Sequence, residues 1–229
     1  MKNTAIVTGA SSGIGKAIAK KLAKEGMNVA LVARRKDKLL ELEREINQNE
    51  TGEAFAIPTD VSKRDEVEAM VKKTEKQFSD IDVYVNNAGL MLNALVTEGQ
   101  VENWEEMIDV NIKGVLYGVH AVIPNMLERK TGHIINIASV SGLEVTKSST
   151  VYSATKFAVR AISMGLEKEL ARTGVRVTNI SPGMVDTDLV NRHQVNRKML
   201  EAEDIANAIY YAITQPDYVN VNEITVRPV

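Results

Sequence analysis

The sequence contains no cysteine, which excludes disulfide bonds and thiolate chemistry and fits a reducing compartment. Aromatic residues make up 4% of the chain, so few side chains could stack on single-stranded nucleic acid. The net charge of −2 gives no overall attraction to nucleic acid or to an acidic membrane surface. The longest apolar run, near residues 115–123, contains Gly118 and His120 and is too short to cross a bilayer. Because the first predicted strand begins near Asn3 and leaves no room for a signal peptide, we expect a cytoplasmic protein.

Metal chemistry is not expected from this sequence either. Its three histidines, His120, His133 and His193, are far apart, and no cluster of histidine and cysteine occurs at ligand spacing. The sequence therefore predicts no metal site.

What the chain does contain is a regular alternation of strand and helix patterns. Short β-branched runs predict seven strands, at residues 4–8, 28–33, 53–58, 81–85, 133–138, 175–180 and 223–227. Amphipathic patterns predict helices at 15–26, 37–48, 64–78, 101–129 (with a kink at Pro124) and 150–172, and another from about Glu203. Since the strands are apolar throughout, we expect a parallel sheet buried on both faces. This pattern is typical of one Rossmann-type, doubly wound α/β domain covering residues 1–229.

A glycine-rich turn, TGASSGIG at 8–15, follows the first predicted strand. Gly9, Gly13 and Gly15 would allow a tight turn and a close approach to a phosphate, and the following helix would present N–H groups to it. The spacing is G-x-x-x-G-x-G, which differs from the G-x-G-x-x-G of many dinucleotide-binding turns. Taken alone, the segment is compatible with a nucleotide site and with simple packing.

Polar residues follow three more strands, at the edge where ligands of such sheets bind. Asp60 lies in TDVS (59–62), two asparagines lie in NNAG (86–89), and Ser139 lies in IASVSG (137–142). Each has an ordinary structural explanation, as a helix N-cap at Ser62, an Asx turn or a loop serine. None of them identifies a site by itself.

The segment YSATK (152–156) is the most informative one. Tyr152 and Lys156 are four residues apart in a helical pattern, so they share one face of the helix. An ammonium near a phenol stabilises the phenolate and lowers the phenol pKa, which would make Tyr152 a usable proton donor and acceptor. Taken alone, the pair is better explained by two neighbouring surface residues, and its weight comes from its combination with Ser139 and the glycine turn.

Read together, these motifs resemble the short-chain dehydrogenase/reductase family. The resemblance covers essentially the whole chain and rests on TGASSGIG, DV at 60–61, NNAG, the asparagine of MIDVN, Ser139, YSATK and SPGMVDT at 181–187. It is nearest to an NADP-dependent branch that includes 3-hydroxy acid (serine-type) and clavulanate-type dehydrogenases. The resemblance implies an enzyme that interconverts a small carbonyl compound and its secondary alcohol by hydride transfer. It implies no nucleic-acid or membrane partner.

The family likeness also assigns catalytic roles. Tyr152 would protonate the carbonyl oxygen, and Lys156 would lower the Tyr152 pKa and bind the nicotinamide ribose. Ser139 would hold the substrate oxygen, and Asn111 would keep a water molecule in the proton relay.

The same likeness assigns cofactor contacts to most of the strand ends. The residues expected around the pyrophosphate and adenosine ribose are Gly9, Ser11, Ser12, Gly13, Ile14 and Gly15. Asp60 and Val61 would face the adenine. The remaining contacts would be Asn86, Asn87, Ala88 and Gly89 at the ribose, and Pro182, Gly183, Val185 and Thr187 at the nicotinamide, together with Tyr152 and Lys156.

The stretch VARRKDK (32–38) bears on the choice between NADP and NAD. NAD-preferring relatives carry an acidic residue at the end of the second strand, and here the position is Ala33. Arg34 is predicted to bind the 2′-phosphate of NADP, with Arg35 as a second candidate. Some NADP-preferring relatives also have a basic residue where this chain has Ser12. An NAD-dependent enzyme and a non-catalytic nucleotide-binding sensor remain the alternatives.

Two further features leave alternatives open. Arg192, Arg197 and Lys198 lie in the segment that covers the substrate in the family, and they suit either an acidic substrate or a solvated basic loop. By the family likeness, helices 101–129 and 150–172 would form a homodimer or homotetramer. Their small residues fit either such an interface or the core of one subunit: Gly114, Gly118, Ala121, Ala154, Ala158 and Ala161.

Overall fold

Seven parallel strands form one central sheet in the computed structural model, which describes residues 3–92, 95–187 and 198–229. The strands are β1 (Thr4–Thr8), β2 (Asn28–Ala33), β3 (Ala54–Pro58), β4 (Val83–Asn86), β5 (Gly132–Ile137), β6 (Val175–Pro182) and β7 (Glu223–Val226). Their order across the sheet is β3-β2-β1-β4-β5-β6-β7, and every neighbouring pair is parallel. The Rossmann-type, doubly wound sheet expected from the sequence is confirmed.

Helices cover both faces of this sheet. They are α1 (Gly13–Lys24), α2 (Lys36–Asn49), α3 (Arg64–Phe78), α4 (Val101–Ile108), α5 (Gly114–Arg129), α6 (Thr150–Glu169) and α7 (Ala202–Ile213). Within the described ranges, none of the helices is long and apolar enough to cross a membrane.

The strands are apolar throughout because alternate residues enter two separate core layers. In β1, Val7 joins a cluster with side chains of α1, α2 and α7, whereas Ile6 joins one with side chains of α3, α5 and α6. All five residues of β1 are buried, as expected for a strand covered on both faces.

The predicted helix 101–129 is helical along its whole length, but it is not α-helical throughout, and this is the main correction to the predicted elements. α4 ends at Ile108, a π-helical turn covers Asp109–Lys113, and α5 begins at Gly114. Pro124 lies within α5, which continues past it, so the irregularity falls at the π turn instead. Single π turns inside helices occur frequently at functional sites, and this one contains Asn111.

The other boundaries agree with the predictions to within three residues. β6 extends to Pro182, two residues beyond its predicted end, because it pairs there with β7 through Ser181↔Thr225 and Pro182↔Val226. All the strands end at one edge of the sheet, and the strand order reverses between β1 and β4. This is where ligands of doubly wound sheets bind.

At the opposite end of the sheet, His133 is a buried histidine at the start of β5. Its Nε2 lies 2.7 Å from Thr178 Oγ1, and that hydroxyl donates to the carbonyl of Val221 at 2.7 Å. Because the Thr178 proton is already used, His133 must donate through Nε2–H. Burial, together with the positive charge of Arg176, lowers the His133 pKa from 6.5 to about 3.

This shift predicts a loss of stability in mild acid. The folded protein keeps His133 neutral, whereas the unfolded chain binds a proton as the pH falls through 6.5, so the free energy of unfolding decreases from there down toward pH 3. We expect His133 to account for on the order of 3 kcal/mol of the loss between pH 7 and pH 4. Urea unfolding of wild type and His133→Asn across this range measures it, with exposed His120→Asn as the control. Equal pH slopes for wild type and His133→Asn would contradict the assignment.

Candidate active site

The glycine turn before α1 is pressed against the residues that follow β4. Gly9 has φ of +70° and Gly13 has φ of +52°, conformations that favour glycine. A Cβ on Gly9 would lie 2.7 Å from Asn87 Nδ2, and a Cβ on Gly15 would overlap the carbonyl oxygen of Gly9. The three glycines therefore form a cradle that any larger residue would fill.

Thr8, the last residue of β1, joins the two loops of this cradle. Its hydroxyl accepts from the N–H groups of Asn87 and Ala88, both at 2.9 Å, and donates to the carbonyl of Val85 at 3.0 Å. The Asn87 amide donates to the carbonyl of Thr8 at 2.8 Å. Asn86 is different, because its buried side chain donates to Asn136 Oδ1 at 2.9 Å inside the sheet.

The start of α1 fits an anionic group such as a pyrophosphate. Ser12, at the N-cap position, makes no side-chain cap to the helix, and no acidic residue lies in the first turn. The first N–H groups of a helix carry partial positive charge and bind anions. The glycine cradle and this helix start thus supply the close approach and the donors that a dinucleotide phosphate needs.

The structure separates the two arginines that follow β2. Arg35 reaches across the glycine turn, with Nη2 at 2.9 Å from Ser11 Oγ and 2.6 Å from Ser12 Oγ. Arg34, which the sequence placed first, points to α4 instead, where its Nη1 lies 3.6 Å from Glu106 Oε1. Arg35 therefore lies beside the helix start that fits an anion, together with two hydroxyl groups.

Asp60 and Val61, after β3, make mainly structural contacts. The Asp60 carboxylate accepts from the N–H of Ser62 at 3.0 Å and from its hydroxyl at 2.8 Å. Val61 is buried and packs where Gly114 begins α5, since a Cβ on Gly114 would lie 3.1 Å from Val61 Cγ2. Their role toward the adenine stays a prediction.

Lys156 is a buried cation at the end of β5. It is 6% exposed, and its ammonium donates to the carbonyl oxygen of Ile137 at 2.8 Å. The Lys156 Nζ lies 5.8 Å from the centre of the Tyr152 ring, so the i, i+4 spacing does bring the pair together. Burial lowers the Lys156 pKa from 10.5 to about 8, which leaves the side chain mostly protonated at neutral pH.

The pKa of Tyr152 moves opposite to the expected direction. Burial of the phenol raises this pKa, and the hydrogen bond with the Ser139 side chain opposes the change without cancelling it. Burial and the Ser139 hydrogen bond account for the shift, and Lys156 does not contribute to it in the protein alone. The Ser139 hydroxyl also accepts the N–H of Ser141 at 3.1 Å, which fixes Ser139 at the start of a short 3₁₀ turn.

Asn111 lies behind this pair, in the π turn. Its Oδ1 accepts the N–H of Leu90 at 2.9 Å, and its Nδ2 donates to the Leu90 carbonyl at 2.9 Å and to Thr155 Oγ1 at 3.0 Å. A Cβ on Gly89 would lie 3.3 Å from Asn111 Oδ1 and 3.4 Å from Lys156 Nζ. Asn111, Lys156 and the NNAG loop are therefore neighbours, and the role of Asn111 toward a water molecule stays a prediction.

Residues 182–187 close the other side of the cleft. The Gly183 N–H donates to the Val226 carbonyl at 2.7 Å, and Val185 pairs with Leu200 in a short parallel bridge. The Thr187 methyl group would lie 3.1 Å from a Cβ on Gly13, so this segment returns to the glycine turn.

Of the basic residues that the resemblance places over the substrate, Lys198 lies within the described ranges. Lys198 is exposed, with its Nζ 3.7 Å from Glu201 Oε1, so its charge is directed to solvent and to that carboxylate. Arg192, His193 and Arg197 lie outside the described residues. As for metals, no group of three or more potential ligands occurs in the part of the chain that the structure describes.

Sequence reasoning missed Thr8 and Thr155, which hold the site residues in place. Thr8 precedes the first glycine of the turn, and Thr155 lies inside YSATK. Both were visible as hydroxyl residues within a motif. Their partners, the N–H groups after β4 and the Asn111 amide, come from distant parts of the chain and gave no sequence signal.

Comparisons with known proteins find similar sequences and structures over most of the chain. A family model described as short chain dehydrogenase matches residues 3–198. An uncharacterized oxidoreductase of Staphylococcus aureus is 55% identical over 226 residues, covering 98% of this chain and 96% of that protein. A solved serine dehydrogenase in its closed form, complexed with NADP+, is 36% identical with a TM-score of 0.91, covering 98% and 94% of the two chains. A solved alcohol dehydrogenase from the archaeon Thermococcus sibiricus, complexed with 5-hydroxy-NADP, is 33% identical with a TM-score of 0.92, covering 100% and 97%.

The glycine cradle gives a direct test. Gly15→Ala should lower the free energy of unfolding by about 1–3 kcal/mol and weaken NADPH binding, because its Cβ would overlap the Gly9 carbonyl oxygen. Gly165→Ala in α6 is the matched control: nothing lies within 4 Å of its Cβ position, so the change should stabilise the helix by about 0.4–1 kcal/mol. Urea unfolding and calorimetric titration measure both effects. Wild-type NADPH affinity in Gly15→Ala would remove the turn from the cofactor site.

Proposed function

Because the chain belongs to the short-chain dehydrogenase/reductase family and is an NADP-using oxidoreductase, we propose that it interconverts a small carbonyl compound and its secondary alcohol through Asn111, Ser139, Tyr152 and Lys156. The observation that carries the proposal is the buried Lys156 ammonium beside Tyr152 and Ser139. An isolated desolvated cation at a strand end is costly for a fold, and it suits a site where negative charge develops.

In the reduction direction, Tyr152 is the proton donor. Its raised pKa keeps the phenol protonated at neutral pH, so the group that must give a proton to the carbonyl oxygen holds one. Bound NADPH supplies the hydride that the carbonyl carbon receives. As the proton leaves, negative charge appears on the Tyr152 oxygen, and the nearby Lys156 ammonium stabilises it.

Ser139 and Asn111 orient the reacting groups. Ser139 shares a hydrogen bond with the phenol, so a substrate oxygen placed between them would accept from both hydroxyls. Asn111 fixes the NNAG loop through the Leu90 backbone and fixes α6 through Thr155. These bonds hold the cofactor side and the catalytic helix at a constant separation, which is the positioning that hydride transfer requires.

A 3-hydroxy acid is the substrate to test first. Serine is a 3-hydroxy acid with a primary hydroxyl, and one of the matching solved structures is a serine dehydrogenase, so 3-hydroxy acids with a secondary hydroxyl come first. A neutral secondary alcohol is the comparison, because an alcohol dehydrogenase matches over the same length. We propose that residues 1–229 form one catalytic domain and that the protein is located in the cytoplasm.

We also propose a homodimer or homotetramer through α4, α5 and α6. Leu116 on α5 and Phe157 and Met164 on α6 are exposed large apolar side chains, which supports an outward contact surface. Gly114 and Gly118, by contrast, serve their own subunit, since a Cβ on Gly118 would overlap Tyr84. A monomer mass in light scattering would contradict the proposal.

Tyr152→Phe should reduce kcat by roughly a hundredfold or more, since general acid catalysis commonly contributes about 10²–10⁴. NADPH affinity should change little, because the ring remains. Tyr84→Phe is the matched control: Tyr84 is a buried tyrosine whose hydroxyl has no hydrogen-bond partner among the described residues, so its removal should leave kcat unchanged. Steady-state kinetics and calorimetry separate the two quantities. Wild-type kcat in Tyr152→Phe would overturn the mechanism.

Arg35 is the arginine that we expect to bind the 2′-phosphate, together with Ser11 and Ser12. Arg35→Ala should raise the Kd of NADPH about tenfold to a hundredfold, the range for a charge-assisted hydrogen bond, and change the Kd of NADH much less. Arg34→Ala should have a smaller effect, because the Arg34 side chain points to Glu106 on α4, whereas Arg35 lies on the glycine turn. Calorimetry with both cofactors decides between them. A larger loss in Arg34→Ala would restore the assignment made from sequence, and a wild-type enzyme that binds NADH more tightly than NADPH would favour the NAD alternative.

A further inference from the structure

One cation lies at the carboxyl edge of the sheet, close to the catalytic serine. Ile137 pairs with Ile180 and Pro182 pairs with Val226, so the strand register brings Ser139 level with Pro182 and Val226. Neighbouring strands are about 4.8 Å apart, which puts the backbone of Val226 about 10 Å from that of Ser139. Arg227 is the next residue, one step further toward the cleft.

The side chain of Arg227 turns back toward the loop that carries Ser139. Its Nη1 lies 3.1 Å from Glu144 Oε1, and Glu144 follows the 3₁₀ turn that begins at Ser139. That turn is held against α6, because a Cβ on Gly142 would lie 2.8 Å from the Lys156 carbonyl oxygen. The ion pair therefore joins the β5 loop to the end of β7, at the edge of the sheet that carries Ser139.

The Arg227–Glu144 pair is more exposed to solvent and has fewer hydrogen bonds than the pair that Arg160 forms with Glu223 of β7. Arg160 donates two hydrogen bonds to Glu223, from Nε to Oε1 at 2.9 Å and from Nη2 to Oε2 at 3.0 Å. These two side chains are 33% and 30% exposed. Arg227 contacts Glu144 through Nη1, and the two side chains are 52% and 59% exposed. A half-exposed, single contact of this kind adds little stability, so another carboxylate can replace Glu144 at low cost.

We propose that Arg227 binds the carboxylate of an acidic substrate, and that Glu144 is the internal carboxylate which the substrate displaces. The proposal rests on the proposed function, because it takes the carbonyl of the same substrate to lie at Ser139 and Tyr152. It assigns the substrate class as hydroxy acids and keto acids whose carboxylate is separated from the reacting carbon by a short chain. It identifies Arg227 and Glu144 as residues that determine specificity.

The test compares levulinate, a short keto acid, with methyl levulinate on the enzyme–NADP+ complex, in which no hydride transfer to a ketone is possible. Calorimetry gives the Kd of each compound for wild type, Glu144→Gln, Arg227→Gln and the double variant. We expect wild type to prefer the acid, Glu144→Gln to strengthen that preference roughly fivefold, and Arg227→Gln to remove it, as for exchange of one half-exposed charge pair. The double variant should behave like Arg227→Gln.

The opposite signs of the two single variants distinguish this role from a structural one. If the pair merely joins the β5 loop to the end of β7, both variants weaken acid and ester together, and the proposal is overturned. Equal or undetectable binding of the two compounds by wild type overturns it as well. Oxidation of NADPH by methyl levulinate tests the proposed function separately, because that reaction has no carboxylate. If the enzyme reduces the ester but neither variant changes the preference for the acid, the Arg227 proposal is overturned and the proposed function stands.

Discussion

The buried ammonium of Lys156, held by the carbonyl of Ile137, is the interaction on which the site depends. Removing a charge from water costs several kcal/mol even after relaxation, and the lowered pKa of about 8 shows that part of this cost is present here. One carbonyl dipole repays the cost incompletely. The fold therefore maintains a cation that is stabilised further by any negative charge beside it, and Tyr152 is the ionisable group next to it.

Two glycines let the neighbouring loops approach Lys156 closely. Gly89 has no side chain where a Cβ would lie 3.4 Å from Lys156 Nζ, and Gly142 has none where a Cβ would lie 2.8 Å from the Lys156 carbonyl. Both glycines allow a loop to close on α6 from opposite sides. Asn111, which lies in the π turn between α4 and α5, then joins the Gly89 loop to α6 through Leu90 and Thr155. Local irregularity thus serves a contact that spans three separate segments.

The parts of the fold that were predictable from sequence depend on local pattern. Apolar runs located the strands, because a strand that is buried on both faces is apolar at consecutive positions instead of alternate ones. The i, i+4 spacing correctly placed Tyr152 next to Lys156 on one helix. The π turn was not predictable, since the segment 109–113 carries no local pattern that distinguishes it from an α-helix, and the contact of Asn111 with Leu90 joins residues that are distant in sequence. The predicted direction of the Tyr152 pKa shift was wrong for a related reason. Spacing gives the distance between two groups, whereas the pKa also depends on how much water surrounds them.

Three exposed arginines at the carboxyl edge of the sheet differ in their partners. Arg34 and Arg227 each have a glutamate partner, Glu106 and Glu144, at distances and exposures that make the pairs weak. A weak pair keeps an arginine oriented while leaving it able to accept a better anion. Arg35 instead rests on serine hydroxyls, which carry no charge to be displaced, so an incoming phosphate meets no competing carboxylate there. Sequence alone cannot distinguish these three arginines, because the difference lies entirely in what each side chain touches.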